Sequence, residues 1–386
     1  MTPDLSTPGS TAPARPLTIY IASPCTPKGG GMYKVADYLV QNQAKAVSDA
    51  SPAAELRLLD TRGDGSALSS LGVLSKALAQ LLQSRLQGEL AGVHVNVAER
   101  LSLLRKGAVI VLSRAIGVPV LLHLHAAQLH SSYPLLPRPL QALTRWVFSL
   151  PQGCVVLGQA SRQFVIEQLK VPAERVQVLN NGVPEPSQPR RVPADGQALR
   201  VLFVGNLSER KGVSDLLAAL AQPGFDTQRL SVDMAGGGDV EGYTAKALAL
   251  GLGERVRFTG WVDQAGVAQL MAKADVLVLP SYDEGLPLVI LEALANGVAV
   301  VCSPVGEIGS VLSHEENALL VQPGDVPGLA LALQRVLIDA ALRQTLEQAG
   351  RRLYEEKFSV RRFFAEVARL HQAHFGVAAR PADQRR

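Results

Sequence analysis

The stretch DVLVLPSYDEGLPLVILEALANGVAVVCSP, residues 275–304, predicts a strand, a helix and a second strand in succession. Both strand segments, 275–280 and 298–304, are apolar on both faces, which is typical of parallel strands covered by helices on either side. The helical segment 287–297 begins with proline and ends with glycine, the residues favoured at these two positions. This order of elements predicts a doubly wound α/β domain.

The same alternation of strands and helices extends along the chain in both directions. Further strands are expected at 17–23, 54–61, 92–98, 119–126, 153–159, 175–181, 199–205, 230–236, 255–260 and 318–323. Intervening helices are clearest at 32–46, 68–90, 161–170, 213–220 and 359–375. A proline-rich segment, 184–198, interrupts the pattern and reads as a linker. The fold class is therefore α/β, with two doubly wound domains in tandem.

This division gives the expected boundaries. They are a disordered segment (1–16), a first domain (17–183), a linker (184–198), a second domain (199–358), a last helix crossing back to the first domain (359–376) and a disordered tail (377–386). Ligands of open parallel sheets bind beyond the carboxyl ends of the strands. In two such domains in series, the carboxyl ends of both sets of strands are expected to face each other across one cleft. The functional residues are therefore expected in the loops that follow strands.

Composition narrows the class of protein. The chain has 386 residues, of which 47% are hydrophobic and 19% charged, so it is neither disordered nor short of a core. No apolar run approaches the roughly 20 residues that span a membrane, and the first residues lack the apolar centre of a secretory signal. Three widely separated cysteines suit neither a disulfide framework nor a zinc site, so a cytoplasmic location is expected.

Charge is divided unevenly along the chain. Residues 1–190 hold 18 Lys and Arg against 11 Asp and Glu, a net +7, whereas the remainder carries −3. The basic half indicates either an anionic partner, such as a phosphorylated substrate or a lipid headgroup surface, or cationic faces that are only solvated. Segment 134–151 also has two interpretations. It is either an amphipathic helix at a membrane interface or an ordinary half-buried helix.

Two carboxylates flank the start of the helix in the opening stretch. Glu284 precedes the helix and Glu292 lies within it, and the free N–H groups near 285–288 form an anion-binding helix terminus. Because the helix is apolar all round, Glu292 is expected to be buried and either bound to a ligand or capping backbone amides. The functional alternative has both carboxylates accepting hydrogen bonds from ligand hydroxyls.

Three other loops contribute candidate residues. FVGNLSERKG (203–212) places Gly205, Arg210 and Lys211 after a strand, where an adjacent Arg and Lys suit a diphosphate or are merely solvated. Glycines 29–31 lead into a helix and allow backbone to approach a phosphate, or form only a flexible turn. Neither they nor AGGGD (235–239) match a dinucleotide-binding fingerprint.

The strand-end segment LHLHAAQ (122–128) carries two histidines on one strand face, His123 and His125. A metal site is not expected, because no third ligand stands nearby. One histidine is expected to reach the cleft and the other to lie in the core.

Together these pieces resemble the retaining GT-B glycosyltransferases of family four, known from bacterial capsule and exopolysaccharide synthesis. The resemblance covers roughly 17–375 and rests on the glycine loop, LHLHA, VGNLSERKG, AGGGD, RVRFTGWV and the E-x7-E of SYDEGLPLVILEALANGVAVV. Ala126 departs from the glycine that many relatives carry after the histidine. The resemblance implies two Rossmann-like domains, a nucleotide-diphosphate sugar donor such as a UDP- or GDP-sugar, and no required cofactor or metal.

The resemblance also implies roles for individual residues. Arg210 and Lys211 would bind the diphosphate, Glu292 the ribose hydroxyls, and Glu284 the donor sugar together with the backbone of Gly285 and Leu286 beside Pro287. Gly205, Trp261 and Val262 would complete the nucleotide site, and Gly30 and Gly31 would approach the phosphates from the first domain. His125 would contact the sugar near its transferring end. Glu284, His125, Arg210 and Lys211 are thus the candidate catalytic residues.

The function expected from this resemblance is transfer of a hexose to a glycan or polyprenyl-linked oligosaccharide in exopolysaccharide, capsule or lipopolysaccharide synthesis. Peripheral contact with the inner membrane is an expected accompaniment, and nucleic acid is not an expected partner. Two alternatives stay open: a non-catalytic sugar-nucleotide-binding scaffold of a glycan assembly complex, and a sugar-nucleotide epimerase of the same fold. Dependence of turnover on an acceptor separates transferase from epimerase.

Overall fold

The computed structural model describes residues 17–26, 30–43, 54–66, 68–99, 101–126, 128–191 and 197–381. The expected disordered segment 1–16, Gly29 of the glycine loop, part of the linker and residues 382–386 lie outside these ranges. Within them the chain forms two α/β domains, each built on a six-stranded sheet. The predicted fold class is confirmed.

The first domain alternates strands and helices. Its strands are β1 (Thr18–Ser23), β2 (Glu55–Asp60), β3 (Leu90–Val97), β4 (Val120–Leu124), β5 (Gly153–Val156) and β6 (Val176–Val178). Its helices are α1 (Gly30–Gln41), α2 (Ser69–Leu86), α3 (Leu101–Ala115), α4 (Leu129–Ser132), α5 (Arg138–Ser149) and α6 (Gln159–Glu167). Single 3₁₀ turns occur at Tyr133–Leu135 and Ala173–Arg175.

The second domain repeats this plan. Its strands are β7 (Leu199–Val204), β8 (Leu230–Ala235), β9 (Val256–Gly260), β10 (Val276–Leu279), β11 (Ala299–Cys302) and β12 (Leu319–Leu320). Its helices are α7 (Val213–Leu220), α8 (Val240–Ala249), α9 (Gln264–Lys273), α10 (Leu288–Ala295), α11 (Ile308–Val311), α12 (Val326–Ile338) and α13 (Ala340–Leu353). 3₁₀ turns lie at Glu209–Lys211 and Thr227–Arg229, and a π-helical turn, Tyr354–Phe358, leads into α14 (Val360–Phe375).

Both sheets are parallel, and both reverse their winding direction at one point. The strand orders are β2-β1-β3-β4-β5-β6 and β12-β11-β10-β7-β8-β9. The loops that follow the two strands at a reversal diverge to opposite faces, which opens a crevice at the carboxyl edge. The reversals lie between β1 and β3 and between β7 and β10, so the glycine loop and the Glu284 loop each border one of these crevices.

Two helix layers cover the first sheet. Because connections between parallel strands are right-handed and β1→β2 runs opposite to β2→β3, α1 and α2 lie on opposite faces. Helices α2, α3 and α5 contact one another in sequence on one face, whereas α14 contacts α1, β3 and β4 on the other. The last helix thus returns from the second domain to complete the core of the first.

The structure differs from the sequence expectations in a few places. Helix α10 starts at Leu288, because Pro287 has an extended ψ of 129° and precedes the first turn. The disordered tail expected from 377 does not begin there: the backbone of Ala54 donates to the carbonyl of Ala378, Ala379 is buried, and Pro381 bridges to Gln43. These small apolar residues cover the outer edge of the first sheet beside β2.

Candidate active site

A cleft of about 830 Å³ lies between the carboxyl edges of the two sheets. The residues from the sequence prediction that line it are Gly30, Gly31, His125, Gly205, Lys211, Trp261, Val262, Glu284, Gly285, Leu286, Pro287 and Glu292. Residues from five loops that follow strands (β1, β4, β7, β9 and β10) are thus brought together, as expected for two sheets whose reversal points face each other. Among the described residues, Arg210 is the one predicted site residue that is absent from this lining.

Glu284 and Lys211 form an ion pair on the second-domain side of the cleft. The Lys211 ammonium donates to Glu284 Oε1, and both side chains are almost wholly buried. Lys211 ends a 3₁₀ turn after β7, and Glu284 lies in the loop after β10, the neighbouring strand in the sheet. Each of these largely buried charges thus has a partner of opposite sign.

The neighbouring Arg210 has a different position. Its guanidinium donates to the carbonyl of Asp283 at 2.6 Å from the exposed side of the loop, and its own carbonyl accepts from the N–H of Tyr282 at 2.8 Å. Arg210 therefore fastens the Glu284 loop to the 3₁₀ turn. Of the adjacent Arg–Lys pair expected on a diphosphate, only Lys211 lines the cleft, because consecutive residues of a 3₁₀ turn point in different directions.

The loop after β11, which contains Gly306 and Glu307, packs against the Glu284 loop. The N–H of Glu307 donates to the carbonyl of Gly285 at 3.1 Å. Gly306 has a φ of +58°, and a Cβ on it would lie 1.9 Å from the carbonyl oxygen of Glu284. Only glycine fits this approach, so the backbone around Glu284 is held in place by close packing.

Glu292 is bound by side chains from the first domain. Its Oε1 accepts from Lys34 Nζ at 2.9 Å and from the Tyr38 hydroxyl at 3.3 Å, and Gln264 donates to that hydroxyl at 3.1 Å. Glu292 Oε2 is buried and has no hydrogen-bond partner among the described residues. An unsatisfied buried carboxylate oxygen is costly, and here it is free to accept a hydrogen bond from a ligand.

Lys34 and Tyr38 were not predicted from the sequence. They are spaced i, i+4 on α1, so they lie on one helix face, and that polar pair beside the glycine loop was the available signal. Nothing in the local sequence indicates that this face meets α10, because Lys34 and Glu292 are 258 residues apart in the chain.

The second-domain wall of the cleft is mostly backbone. A Cβ on Gly236 would lie 1.7 Å from the carbonyl oxygen of Gly205, so the loops after β7 and β8 touch through their main chains. Trp261 and Val262 follow β9, and Trp261 is 56% exposed. An open aromatic surface beside bare backbone suits a planar ligand group that stacks and accepts main-chain hydrogen bonds.

On the first-domain wall, Gly30 and Gly31 begin α1, and Gly30 has a φ of +66°. A Cβ on Gly31 would lie 3.6 Å from Leu288 at the start of α10, so the two helix starts converge. A phosphate-sized anion between them would meet free N–H groups from both helices.

His125 lies just beyond β4, and its Nε2 is buried without a partner among the described residues. Burial, followed by repulsion from His94 and Lys106, lowers the pKa of His125 well below its usual value, so the imidazole is neutral. Its ring contacts that of His123 at a tilt of 38°, with the centroids 4.1 Å apart. Of the two predicted histidines, His125 therefore lines the cleft and His123 lies in the core.

His123 continues into a chain of imidazoles that the sequence did not reveal. His123 Nδ1 lies 3.2 Å from His94 Nε2, and His94 Nδ1 lies 2.9 Å from His371 Nε2 on α14. Burial lowers the pKa of His94 to about 4 and those of His123 and His371 well below the usual value. These neutral rings connect the cleft wall to the last helix.

In the ranges that the structure covers, no three His, Cys, Asp or Glu side chains form a group able to hold a metal ion. Likewise, no helix among the described residues has the length and apolar character needed to cross a bilayer.

Comparison with known proteins relates this geometry to a family. The second half of the chain, 185–353, matches the family model described as glycosyl transferases group 1, and 36–182 matches the glycosyl transferase 4-like domain. A glycogen synthase of Mycobacterium tuberculosis is 28% identical over 271 residues, which are 68% of this chain and 65% of that protein.

Solved structures share the architecture. Sucrose-phosphate synthase from Thermosynechococcus elongatus superposes with a TM-score of 0.72 at 20% identity, over 92% of this chain and 98% of that chain. HepE of Anabaena, in complex with UDP and glucose, gives a TM-score of 0.71 at 20% identity, over 93% and 100%. At such identities the likeness establishes the fold, which is GT-B.

Proposed function

The chain belongs to the group 1 glycosyltransferases, and from this premise we propose that it transfers a hexose, with retention of configuration, from a nucleotide-diphosphate sugar to a glycan or polyprenyl-linked acceptor. The observation that carries the proposal is the arrangement of Glu284, Lys211 and Glu292. One ion pair and one carboxylate with a free oxygen face the same cleft, beside two helix starts.

The donor fits this arrangement from end to end. The base stacks by Trp261 and Val262, and ribose hydroxyls donate to the free Oε2 of Glu292. The diphosphate lies between Lys211 and the N–H groups at the starts of α1 and α10. Glu284 and the backbone of Gly285 and Leu286 hold the hexose hydroxyls. Binding of UDP and glucose by HepE supports a donor of this class, and we keep both UDP- and GDP-sugars as candidates.

The proposed reaction breaks the bond between the anomeric carbon and the diphosphate oxygen and forms a bond from that carbon to an acceptor oxygen on the same face. The acceptor proton passes to an oxygen of the leaving diphosphate, so no protein base is needed. Negative charge develops on that diphosphate, and Lys211 with the helix N–H groups stabilises it, an effect worth about 3–4 kcal/mol for a single well-placed donor.

Neutral His125 acts next to the sugar. Because its pKa is low, it cannot repel a developing positive charge at the anomeric carbon, and its Nε2 is available for a hydroxyl of the hexose. We place this reaction in the cytoplasm, as one step of exopolysaccharide, capsule or lipopolysaccharide synthesis.

The experiment is a transfer assay with UDP- and GDP-hexoses and a mixture of glycan and polyprenyl-linked acceptors, with NMR of the product's anomeric proton. An axial linkage from an axial donor is expected. Sugar isomerisation without an acceptor would identify an epimerase instead, and binding without turnover under every acceptor would identify a scaffold.

A further inference from the structure

Glu307, in the loop after β11, is a buried carboxylate of the second domain that binds the first domain. Its side chain belongs to a residue that is only 2% exposed. Glu307 Oε1 accepts from the backbone N–H of Ser161 at 3.0 Å and from the Ser161 hydroxyl at 2.9 Å. Ser161 lies in the first turn of α6, so a carboxylate from one domain caps a helix of the other.

Gly158, which directly precedes α6, shows how closely this carboxylate fits against the first domain. A Cβ on Gly158 would lie 1.9 Å from Glu307 Oε2. The backbone of Gly158 is extended, with a φ of −171°, so its conformation does not itself require glycine. The missing side chain at this position instead leaves the space that the Glu307 carboxylate occupies.

The loop after β11 also holds the backbone that carries Glu284. The N–H of Glu307 donates to the carbonyl of Gly285 at 3.1 Å, and Gly306 packs against the carbonyl oxygen of Glu284. Glu284 and Gly285 are among the described residues that line the cleft, whereas Glu307 is not. Glu307 is therefore placed to act on the donor through the Glu284 loop and not by direct contact.

Adhesion between the domains does not by itself account for a carboxylate at this position. Within the described ranges, the hydrogen bonds to the carboxylate come from neutral groups, namely Ser161 and, at 3.5 Å, the Ser310 hydroxyl. Burying a carboxylate without a cation costs more than burying an apolar side chain, which would hold two surfaces together equally well. Hydrogen bonds, by contrast, also fix the direction in which the two loops meet.

We propose that Glu307 is a positioning residue, which binds the start of α6 and thereby holds the Glu284 loop in place for sugar transfer. The first domain then fixes the second-domain side of the cleft at two points, through Lys34 on α10 and through Ser161 on the loop after β11. The role of Glu284 in this inference rests on the proposed function. The coupling between α6 and the Glu284 loop, however, can be measured without donor or acceptor.

Hydrogen exchange of the ligand-free chain measures that coupling. Gly158→Ala changes only the first domain, and its Cβ should displace the Glu307 carboxylate from Ser161. Amide exchange in a peptide spanning 281–287 of the second domain should then become about tenfold faster, because local opening of the loop is easier. Ser75→Ala, at an exposed serine of α2, is the control and should leave this exchange unchanged.

Variants of Glu307 complete the test. Glu307→Ala should accelerate the same exchange, whereas Glu307→Gln keeps an acceptor oxygen for Ser161 and should restore most of the protection. The atoms nearest to a Cβ at 158 belong to Glu307, so Gly158→Ala should add little once Glu307 is alanine. Unchanged exchange at 281–287 in Gly158→Ala, or additive effects in the double variant, would overturn the proposal.

Kinetics then measures the consequence for transfer. Gly158→Ala and Glu307→Ala should lower kcat about tenfold, because a displaced Glu284 loop misorients the hexose. Calorimetric affinity for UDP or GDP should stay as in the wild type, because these ligands lack the hexose. A wild-type kcat in both variants would overturn the positioning role. A wild-type chain that transfers no sugar would contradict the proposed function instead, and hydrogen exchange would still decide whether α6 holds the Glu284 loop.

Discussion

Lys34 Nζ on the first domain lies 2.9 Å from Glu292 Oε1 on the second, and this ion pair crosses the cleft. It occupies one oxygen of Glu292, and the other is buried with no hydrogen-bond partner in the part of the chain that the structure describes. The first domain thereby orients the carboxylate to which we assign the ribose of the donor. Donor affinity should accordingly depend on a residue outside the second domain, to which we assign most of the donor contacts.

Replacing Lys34 tests this dependence. Lys34→Met should raise the KM for the donor about tenfold, because a charge-assisted hydrogen bond to a largely buried carboxylate is lost, while kcat changes little. Lys34→Arg should recover most of the affinity. Lys273→Met, at an exposed lysine at the end of α9, is the control. A normal donor KM in Lys34→Met would show that the ion pair has no part in binding.

The contrast between two adjacent cations provides the second prediction. Lys211→Ala should lower kcat/KM about a hundredfold or more, because it removes the donor to the leaving diphosphate. Arg210→Ala should cost less than Lys211→Ala, because the guanidinium binds the loop backbone at Asp283 and does not line the cleft. Steady-state kinetics with far-UV circular dichroism measures both. An Arg210→Ala loss equal to that of Lys211→Ala would place both cations on the diphosphate.

Gly306 provides a prediction about the loop that carries Glu284. Gly306→Ala should remove most activity, since its Cβ would collide with the carbonyl of Glu284 and displace that loop. Gly117→Ala is the control, because Gly117 also has a positive φ, +72°, but has open space around its Cβ position. The two variants share the backbone strain and differ in the collision. Equal activity losses in both would mean that loop position is unimportant.

The sequence predicted the framework of this protein well. Every strand it indicated is present, because strands apolar on both faces and the glycine and proline residues between them are local signals. It also indicated the loops that carry Glu284, Lys211 and Gly30 with Gly31, since each of these loops follows a strand, and the structure brings these loops to one cleft. Boundaries shifted by a few residues, as at Pro287, where the helix starts one residue later than expected.

What the sequence could not supply depends on contacts between distant segments. Lys34 meets Glu292 only because two domains close on each other, and His371 joins His94 only because α14 returns to the first sheet. The different directions of Arg210 and Lys211 follow from the 3₁₀ turn before Gly212, whose φ of +68° allows close packing against Pro280. None of these relations leaves a periodic pattern in the chain.

The buried histidines make stability depend on pH. Their pKa values are lower in the folded than in the unfolded chain, where histidine titrates near 6.5. Below that pH the unfolded chain takes up protons that the folded chain does not, so the free energy of unfolding falls as pH decreases toward 4. A single such histidine contributes up to about 1.4 kcal/mol per pH unit.

Thermal melting between pH 7 and 5 measures this effect. The melting temperature should fall by several degrees, and His94→Asn should show a smaller fall than the wild type because one such group is absent. His130→Asn, at an exposed histidine, should keep the wild-type slope. A melting temperature that is flat or rises toward pH 5 would contradict the neutral, buried state of these rings.

The most direct test of the central claim is calorimetric titration of the purified chain with UDP-, GDP- and ADP-sugars. The account predicts that one nucleotide family binds with a stoichiometry of one. Lys211→Ala should weaken that binding about tenfold or more, while Gly117→Ala should not change it. Absence of binding across the panel, with or without magnesium, or equal affinities in the wild type and Lys211→Ala, would contradict a sugar-nucleotide site in this cleft.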